Sequence, residues 1–434
     1  MNNQFTKGFI YFICLVSAMG GLLFGYDWVV IGGAKPFYEQ FFAIADSPAL
    51  QGLAMTTALV GCLVGAMVAG MLADKYGRKP LLITAAVLFT VSAVATGLFN
   101  DFTMFNIARF IGGIGIGVAS ALSPMYIAEV SPPEIRGRMV SLNQMTIVLG
   151  ILAAQIVNML LARDTSDPLS QAWNLEWGWR WMFWAEALPA GLFLLMSFFI
   201  PESPVFIKLK EGKTSSEPEE NKKVGLKTLA KKKYRHVLIL GLVIAVFQQW
   251  CGTNVIFNYA QEIFTGAGFD VDGMFIDIVI TGIANVVFTI VALYTIEKWG
   301  RRTLMLIGAG GLACIYLLLG TCYFFQVKGI MMVVMVVAAI SIYAMTLGPV
   351  TWTLLAEIFP HKIRGVAMAT CTFALWVGCC TLTFSFPPMN AALGSSGSFW
   401  IYSAVCACAF LFLIKFCPET KGKSLEQLEQ ELTH

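Results

Sequence analysis

The sequence predicts an all-α membrane protein of twelve transmembrane helices in two six-helix halves, and three observations carry that prediction. The first is composition: of 434 residues, 57% are hydrophobic and only 13% charged, with a mean hydropathy of +0.73, whereas soluble chains carry about a quarter charged residues. The second is a series of apolar segments, each long enough to cross ~30 Å of hydrocarbon, six before a polar stretch and six after it. The third is repetition. DKYGRKP at 74–80 returns as EKWGRRT at 297–303, Glu129 with Arg136-Gly137 returns as Glu357 with Arg364-Gly365, and PESP at 201–204 has a shorter echo in PET at 418–420. Three echoes at nearly one spacing imply two homologous halves, and parallel repeats of this kind place a substrate site at their interface near the bilayer midplane.

The first apolar segment, about residues 9–32, follows only Lys7 and exceeds the ~7–15 apolar residues of a signal-peptide core, so it reads as a retained helix. Segments near 51–73, 81–99, 104–128, 139–161 and 181–200 complete the first set. Within the fourth, Gly113 and Gly117 form a small-residue face for close helix contact; no strand precedes this glycine-rich run, so it does not read as a nucleotide loop. From Lys208 to Arg235 the chain carries ten Lys/Arg and the cluster TSSEPEEN, the composition of a solvated connector. The second set lies near 237–265, 275–296, 303–325, 330–357, 364–387 and 398–417. The expected division is a first half over 1–205, a connector over 206–236, a second half over 237–417 and a tail over 418–434.

Lysine and arginine set the orientation. The even-to-odd loops and the connector hold 20 of them, while the opposite loops hold only Lys35, Arg163, Arg180 and Lys328. By the positive-inside rule both termini and the connector are cytoplasmic. Eleven cysteines without a CxxC pair suggest neither a disulfide framework nor a zinc site, and the three histidines form no metal-binding helix. No cofactor is expected. A net charge of +3 is too small to argue for nucleic acid. An enzyme would need a metal set or a nucleophile–base pair, and a sensor a longer tail than the roughly seventeen residues after the last segment.

Polar residues inside apolar segments are the candidates for function. QQWCGTNVIFNY, 248–259, places Gln248 and Tyr259 on one helical face and Asn254 about 120° away at ~100° per residue, so the amides converge only if the helix bends. Gly252 and Thr253 are where a bend can form; a buried amide cluster gluing helices together is the plainer alternative. Asp27, Arg109 and Glu186 are ionisable residues within membrane segments, and buried charge is costly unless paired. If the Asp–Arg distance changes with conformation, so does proton affinity, which makes a sufficient proton carrier; a static brace is the alternative. Asp74, Arg78, Glu129, Arg136, Glu297, Arg301, Glu357 and Arg364 gather at predicted cytoplasmic ends. Carboxylate–guanidinium pairs there can form in one conformation and break in another, whereas ordinary topogenic charge would not need carboxylates repeated at fixed offsets.

These residues resemble the sugar porter branch of the major facilitator superfamily, over essentially the whole chain. The matching stretches, in order, are DKYGRKP, RFIGGIGIG, PMYIAEVSPPEIRGR, PESP, QQWCGTN, EKWGRR, GPVTWTLLAEIFPHKIRG and PETKGKSLE. The resemblance implies the major facilitator fold, a rocker-switch carrier in the cell membrane with cytoplasmic termini, short helices in the connector, and a central hexose or pentose site, with the monomer as the expected functional unit. It adds Glu202 of PESP to the cytoplasmic gate. It also places sugar contacts on Gln144, Gln248, Gln249, Asn254, Tyr259, Asn285, Gly348, Trp352 and Trp376, with Phe24 a further aromatic contact. The chemistry agrees, since amides both donate to and accept from sugar hydroxyls while aromatic faces pack on C–H faces.

Three departures stand out: Asn258 where the family usually has tyrosine, Leu375 where a polar amide is common, and Val205 in place of the usual arginine after PESP. The sugar preference therefore does not carry over. Asp27 separates the family's mechanisms, because facilitative glucose carriers of animal cells resemble this chain with asparagine there, whereas bacterial xylose and glucose symporters have aspartate; Arg109 and Glu186 match the symporters' partner positions. The expected function is proton-coupled monosaccharide symport, with sugar, proton and bilayer as partners and a facilitative uniporter as the alternative.

Overall fold

The computed structural model describes residues 6–210, 232–266, 268, 271–360, 363–423, 427–428 and 430–431, and all regular structure among them is helical. Helices α1 (Lys7–Phe41), α2 (Pro48–Tyr76), α3 (Arg78–Leu98), α4 (Phe102–Val130) and α5 (Pro133–Leu161) are followed by the short α6 (Pro168–Trp173). A π-helical turn, Asn174–Gly178, leads into α7 (Trp179–Ser197), and α8 (Pro204–Lys210) ends that part of the chain. The connector expected over 206–236 falls largely outside the described residues. Beyond it come α9 (Lys232–Trp250), α10 (Thr253–Asn258), α11 (Ala260–Gly266), α12 (Val271–Trp299), α13 (Arg301–Phe324), α14 (Ile330–Met345), α15 (Leu347–Ile358) and α16 (Arg364–Phe416).

Ten stretches among the described residues are long and apolar enough to cross a membrane. One of them, α16, has 53 residues and turns at Gly394 (φ 68°, ψ 175°), so it is two helices, 364–393 and 395–416. A further helix of membrane length, α7, has 19 residues and is made less apolar by Arg180 and Glu186. With these, the described residues hold twelve stretches of membrane length.

Two cations that the sequence reading assigns to loops lie buried in helices instead. Helix α1 continues well past its apolar stretch, and there Lys35 Nζ meets Glu39 Oε1 at 2.8 Å one turn later, both side chains buried; a charge left buried without such a partner would be costlier still. Arg180, in α7, donates to the Gly97 carbonyl and to Asn100 Oδ1, each at 2.8 Å. Its guanidinium stacks over Phe41 at 4.7 Å and Trp179 at 4.5 Å. It ties the end of α3 to α1 and α7.

The chain divides into two compact units, Met1–Ser215 with Val271–Gly282, and Ser216–Asp270 with Ile283–His434. Helix α12 thus begins in the first unit, where the Phe275 ring stacks on Phe37 at 6.4 Å, and ends in the second. In the first unit α2 and α4 approach backbone to backbone. A Cβ on Gly61 would lie 3.0 Å from Gly113 Cα, and one on Gly117 2.6 Å from Ala66 N, so the glycine face expected on α4 meets a matching face, Gly61 and Gly65, on α2. Such contacts hold membrane helices together where lipid removes the hydrophobic drive.

Candidate functional site

In the first unit a deeply buried charge cluster joins α1, α4 and α7. Arg109 Nη1 bonds Asp27 Oδ1, and Nη2 reaches the Asp27 carbonyl at 3.4 Å; the guanidinium also lies over the Phe183 ring at 5.3 Å. Asp27 is 3% exposed, Arg109 2% and Glu186 2%. Glu186 faces the Asp27 carboxyl and feels the charge of Arg109. Two carboxyls against one guanidinium carry a net charge of −1 when both are ionised.

At one end of the first unit, Gly77 (φ 102°) turns the chain from α2 into α3, and Arg78 enters a network at that turn. Its Nε and Nη2 fork onto the two Glu129 oxygens, each at 3.0 Å. Ser203 Oγ donates to Glu129 as well. The Glu202 carboxylate accepts from the Arg78 amide at 2.9 Å and the Lys79 amide at 3.3 Å, capping α3 where the helix dipole favours an anion. Asp74 contributes less, since it lies 3.5 Å from Arg78 with its side chain 76% exposed.

The second unit repeats this arrangement. Gly300 (φ 83°) turns α12 into α13; Arg301 Nη2 binds Glu357 at 3.0 Å, and Thr420 Oγ1 donates to the same carboxylate at 2.5 Å. Glu419 accepts from the Arg301 and Arg302 amides at 3.0 and 3.2 Å. Ser203, Glu419 and Thr420 are absent from the residues singled out by sequence, yet the PESP/PET echo holds the signal: Glu419 stands in register with Glu202, and Thr420 with Ser203. Arg136 and Arg364 pair with no carboxylate among the described residues and make only the back-bond that Arg78 and Arg301 also make, to Ala73 at 3.0 Å and Ile296 at 3.5 Å. Each reaches back five residues to a helix-ending carbonyl, Ser131 at 3.4 Å and Phe359 at 3.2 Å. The Glu297 side chain lies outside the described residues.

The amide-rich stretch is broken as its glycine suggested. Gly252 is left-handed (φ 88°) between α9 and α10, and the bend brings three of the predicted sugar ligands together. Asn254 Nδ2 donates to Gln249 Oε1, Gln249 Nε2 to Gln248 Oε1 at 2.6 Å, and Gln248 Nε2 to the Tyr343 hydroxyl at 2.8 Å. Tyr343 escaped the sequence reading because it sits in an apolar run.

Other predicted contacts are placed variously. Tyr259 is fully buried, its hydroxyl donating to the Thr383 carbonyl at 2.6 Å and its ring 4.6 Å from Phe386. Asn285, Leu375 and Trp376 are buried, and Trp352 is exposed. Gly348 lies just after the break between α14 and α15 at Thr346 (φ −122°, ψ −86°). Phe24 and Gln144 belong to the first unit, half-buried, with Phe24 edge-on to Trp28 at 5.7 Å. Asn258 is buried, and its Oδ1 accepts no hydrogen bond among the described residues.

Membrane-length helices, one of them broken beside buried amides, and a charge cluster among them mark a polytopic membrane protein. The family model described as "Sugar (and other) transporter" matches twice, over residues 13–219 and 207–432. The arabinose-proton symporter of Bacillus subtilis is 35% identical, covering 98% of this chain and 95% of that one; the D-xylose-proton symporter of Escherichia coli is 37% identical, covering 99% and 97%. Among solved structures, the inward-open xylose transporter XylE from E. coli superposes with a TM-score of 0.82 at 36% identity, covering 98% of this chain and all of that one. XylE bound to 6-bromo-6-deoxy-D-glucose gives 0.77 at 36% identity, covering 99% and all. The chain belongs to the sugar porter family of the major facilitator superfamily, a family of transporters rather than enzymes.

Proposed function

We propose that the protein is a proton-coupled monosaccharide symporter working by alternating access in the cell membrane. The observation that carries the reading is the buried Asp27–Arg109–Glu186 cluster, in which two carboxyls stand against one guanidinium inside the apolar helices. Protonation of Asp27 would release Arg109, coupling proton uptake to the change of shape, and relatives of both names above are proton symporters. Sugar would bind the Gln248, Gln249 and Asn254 amides with aromatic help from Phe24, Trp352 and Trp376; Gln144, Asn285 and Gly348 are further contacts in this reading, while Tyr259 would support the site through its bond to Thr383.

Residues 1–205 and 237–417 would act as the two moving halves of a functional monomer. The Arg78–Glu129–Glu202 and Arg301–Glu357–Glu419 networks, together with Asp74, Arg136, Glu297 and Arg364, would form the cytoplasmic gate. Both termini would be cytoplasmic. Burial of Lys35 and Arg180 leaves only Arg163 and Lys328 as loop cations on the opposite side, which strengthens the charge argument.

The experiment is transport in membrane vesicles by Asp27→Asn. Loss of accumulation with sugar exchange retained is expected, whereas accumulation against a gradient by the variant would overturn the assignment of coupling to Asp27; uptake by the unaltered protein that is indifferent to a collapsed proton gradient would make it a uniporter.

A further inference from the structure

The three amides and Tyr343 form a chain with a single direction. Each glutamine oxygen is taken by the amide nitrogen before it, from Asn254 to Gln249 to Gln248, and Gln248 Nε2 gives its hydrogen to the Tyr343 hydroxyl at 2.8 Å. The phenol oxygen therefore serves as acceptor from the amide, and its own proton remains the last donor of the series. Successive bonds of one direction polarise each other, so the terminal O–H is a stronger donor than an isolated phenol. Gln248, Gln249 and Asn254 are each buried, while Tyr343 is only half-buried, at the end of α14 and three residues before the break at Thr346. Taken as a whole residue, it is the least buried member of the chain. Leu375, buried in the same unit, supplies no polar side-chain atom.

We propose that Tyr343 is a specificity-determining residue, its hydroxyl terminating the amide chain and donating the hydrogen bond that selects one hydroxyl of the monosaccharide. The inference rests on the sugar-transport reading above. It makes the glutamines partly a means of orienting the tyrosine: with both glutamine oxygens occupied from within the protein, the chain meets sugar through N–H groups, the Asn254 oxygen and the phenol.

The test is calorimetric binding of D-xylose, L-arabinose, D-glucose and their single-deoxy and single-fluoro analogues to the purified full-length protein and to Tyr343→Phe, which keeps the ring. The variant is expected to bind the preferred sugar roughly tenfold more weakly, the scale of one hydrogen bond. The deoxy analogue lacking the selected hydroxyl should bind both proteins within about twofold, because the bond is already absent. Measurement on the unaltered protein gives a second arm that does not depend on the variant folding: fluorine accepts but does not donate, so at that one position the fluoro analogue should bind better than the deoxy one. Equal weakening for the parent sugar and every deoxy analogue, no weakening, or fluoro and deoxy analogues binding alike at every position overturns the role of Tyr343 alone. An unaltered protein that binds none of the sugars overturns the transport reading and this inference with it.

Discussion

Charge counting around Arg109 explains why two carboxyls are more informative than one. Asp27 pairs with Arg109 deep in the helices, and Glu186 sets a second carboxyl against the same pair. Glu186→Gln should therefore flatten the pH dependence of exchange as Asp27→Asn does, although Glu186 does not bond the guanidinium directly; rates of sugar counterflow measured across pH 5–8 check this. Removing Arg109 should act more harshly. Arg109→Leu strands buried carboxyls, and breaking a buried pair costs about 3–5 kcal/mol, so less folded protein should be recovered from membranes by fluorescence-detected size exclusion.

Helix ends and helix breaks set where these side chains stand. Gly252 holds a left-handed turn, and a Cβ there would lie 2.8 Å from Tyr402 Cγ. Gly252→Ala adds that clash to a left-handed cost of roughly 1–2 kcal/mol and should lower both the unfolding temperature in detergent and the affinity for sugar. The carboxylate caps supply a paired prediction. Glu202→Gln and Glu419→Gln should each cost ~1 kcal/mol. Because they share no partner and belong to different units, the double variant should lose the sum, as read by thermal unfolding of all three.

Much of this was legible beforehand for identifiable reasons. Long apolar runs fix helices, Gly252 gave away its bend, and the spacing of repeats put Glu129 and Glu357 at equivalent helix ends. What sequence hid was partner choice. Arg136 and Arg364 look identical in kind to Arg78 and Arg301 and share their bond to a carbonyl five residues back, where a helix ends with unmet acceptors, yet meet no carboxylate among the described residues. Tyr343 in VVMVVAAISIYAM looks lipid-facing until the packing of its helix places its hydroxyl against Gln248. Lys35 looked like a loop cation because hydropathy cannot see that Glu39, one turn on, neutralises it.

At the scale of the whole molecule the repeat is the main organising fact. A turn glycine, an arginine, a carboxylate partner, a capping glutamate and a hydroxyl recur together, Gly77–Arg78–Glu129–Glu202–Ser203 and Gly300–Arg301–Glu357–Glu419–Thr420. Duplication of so particular a set is what two homologous halves of a carrier require at equivalent helix ends. The charge asymmetry of the loops further predicts that a C-terminal epitope tag is protected from an impermeant protease in right-side-out vesicles and cleaved in inverted ones. Coupling is the central claim and has a direct readout. When the preferred sugar is added outside de-energised vesicles containing the protein, an external pH electrode should record alkalinisation that follows sugar entry and disappears in Asp27→Asn; sugar entry with no movement of protons would contradict the account.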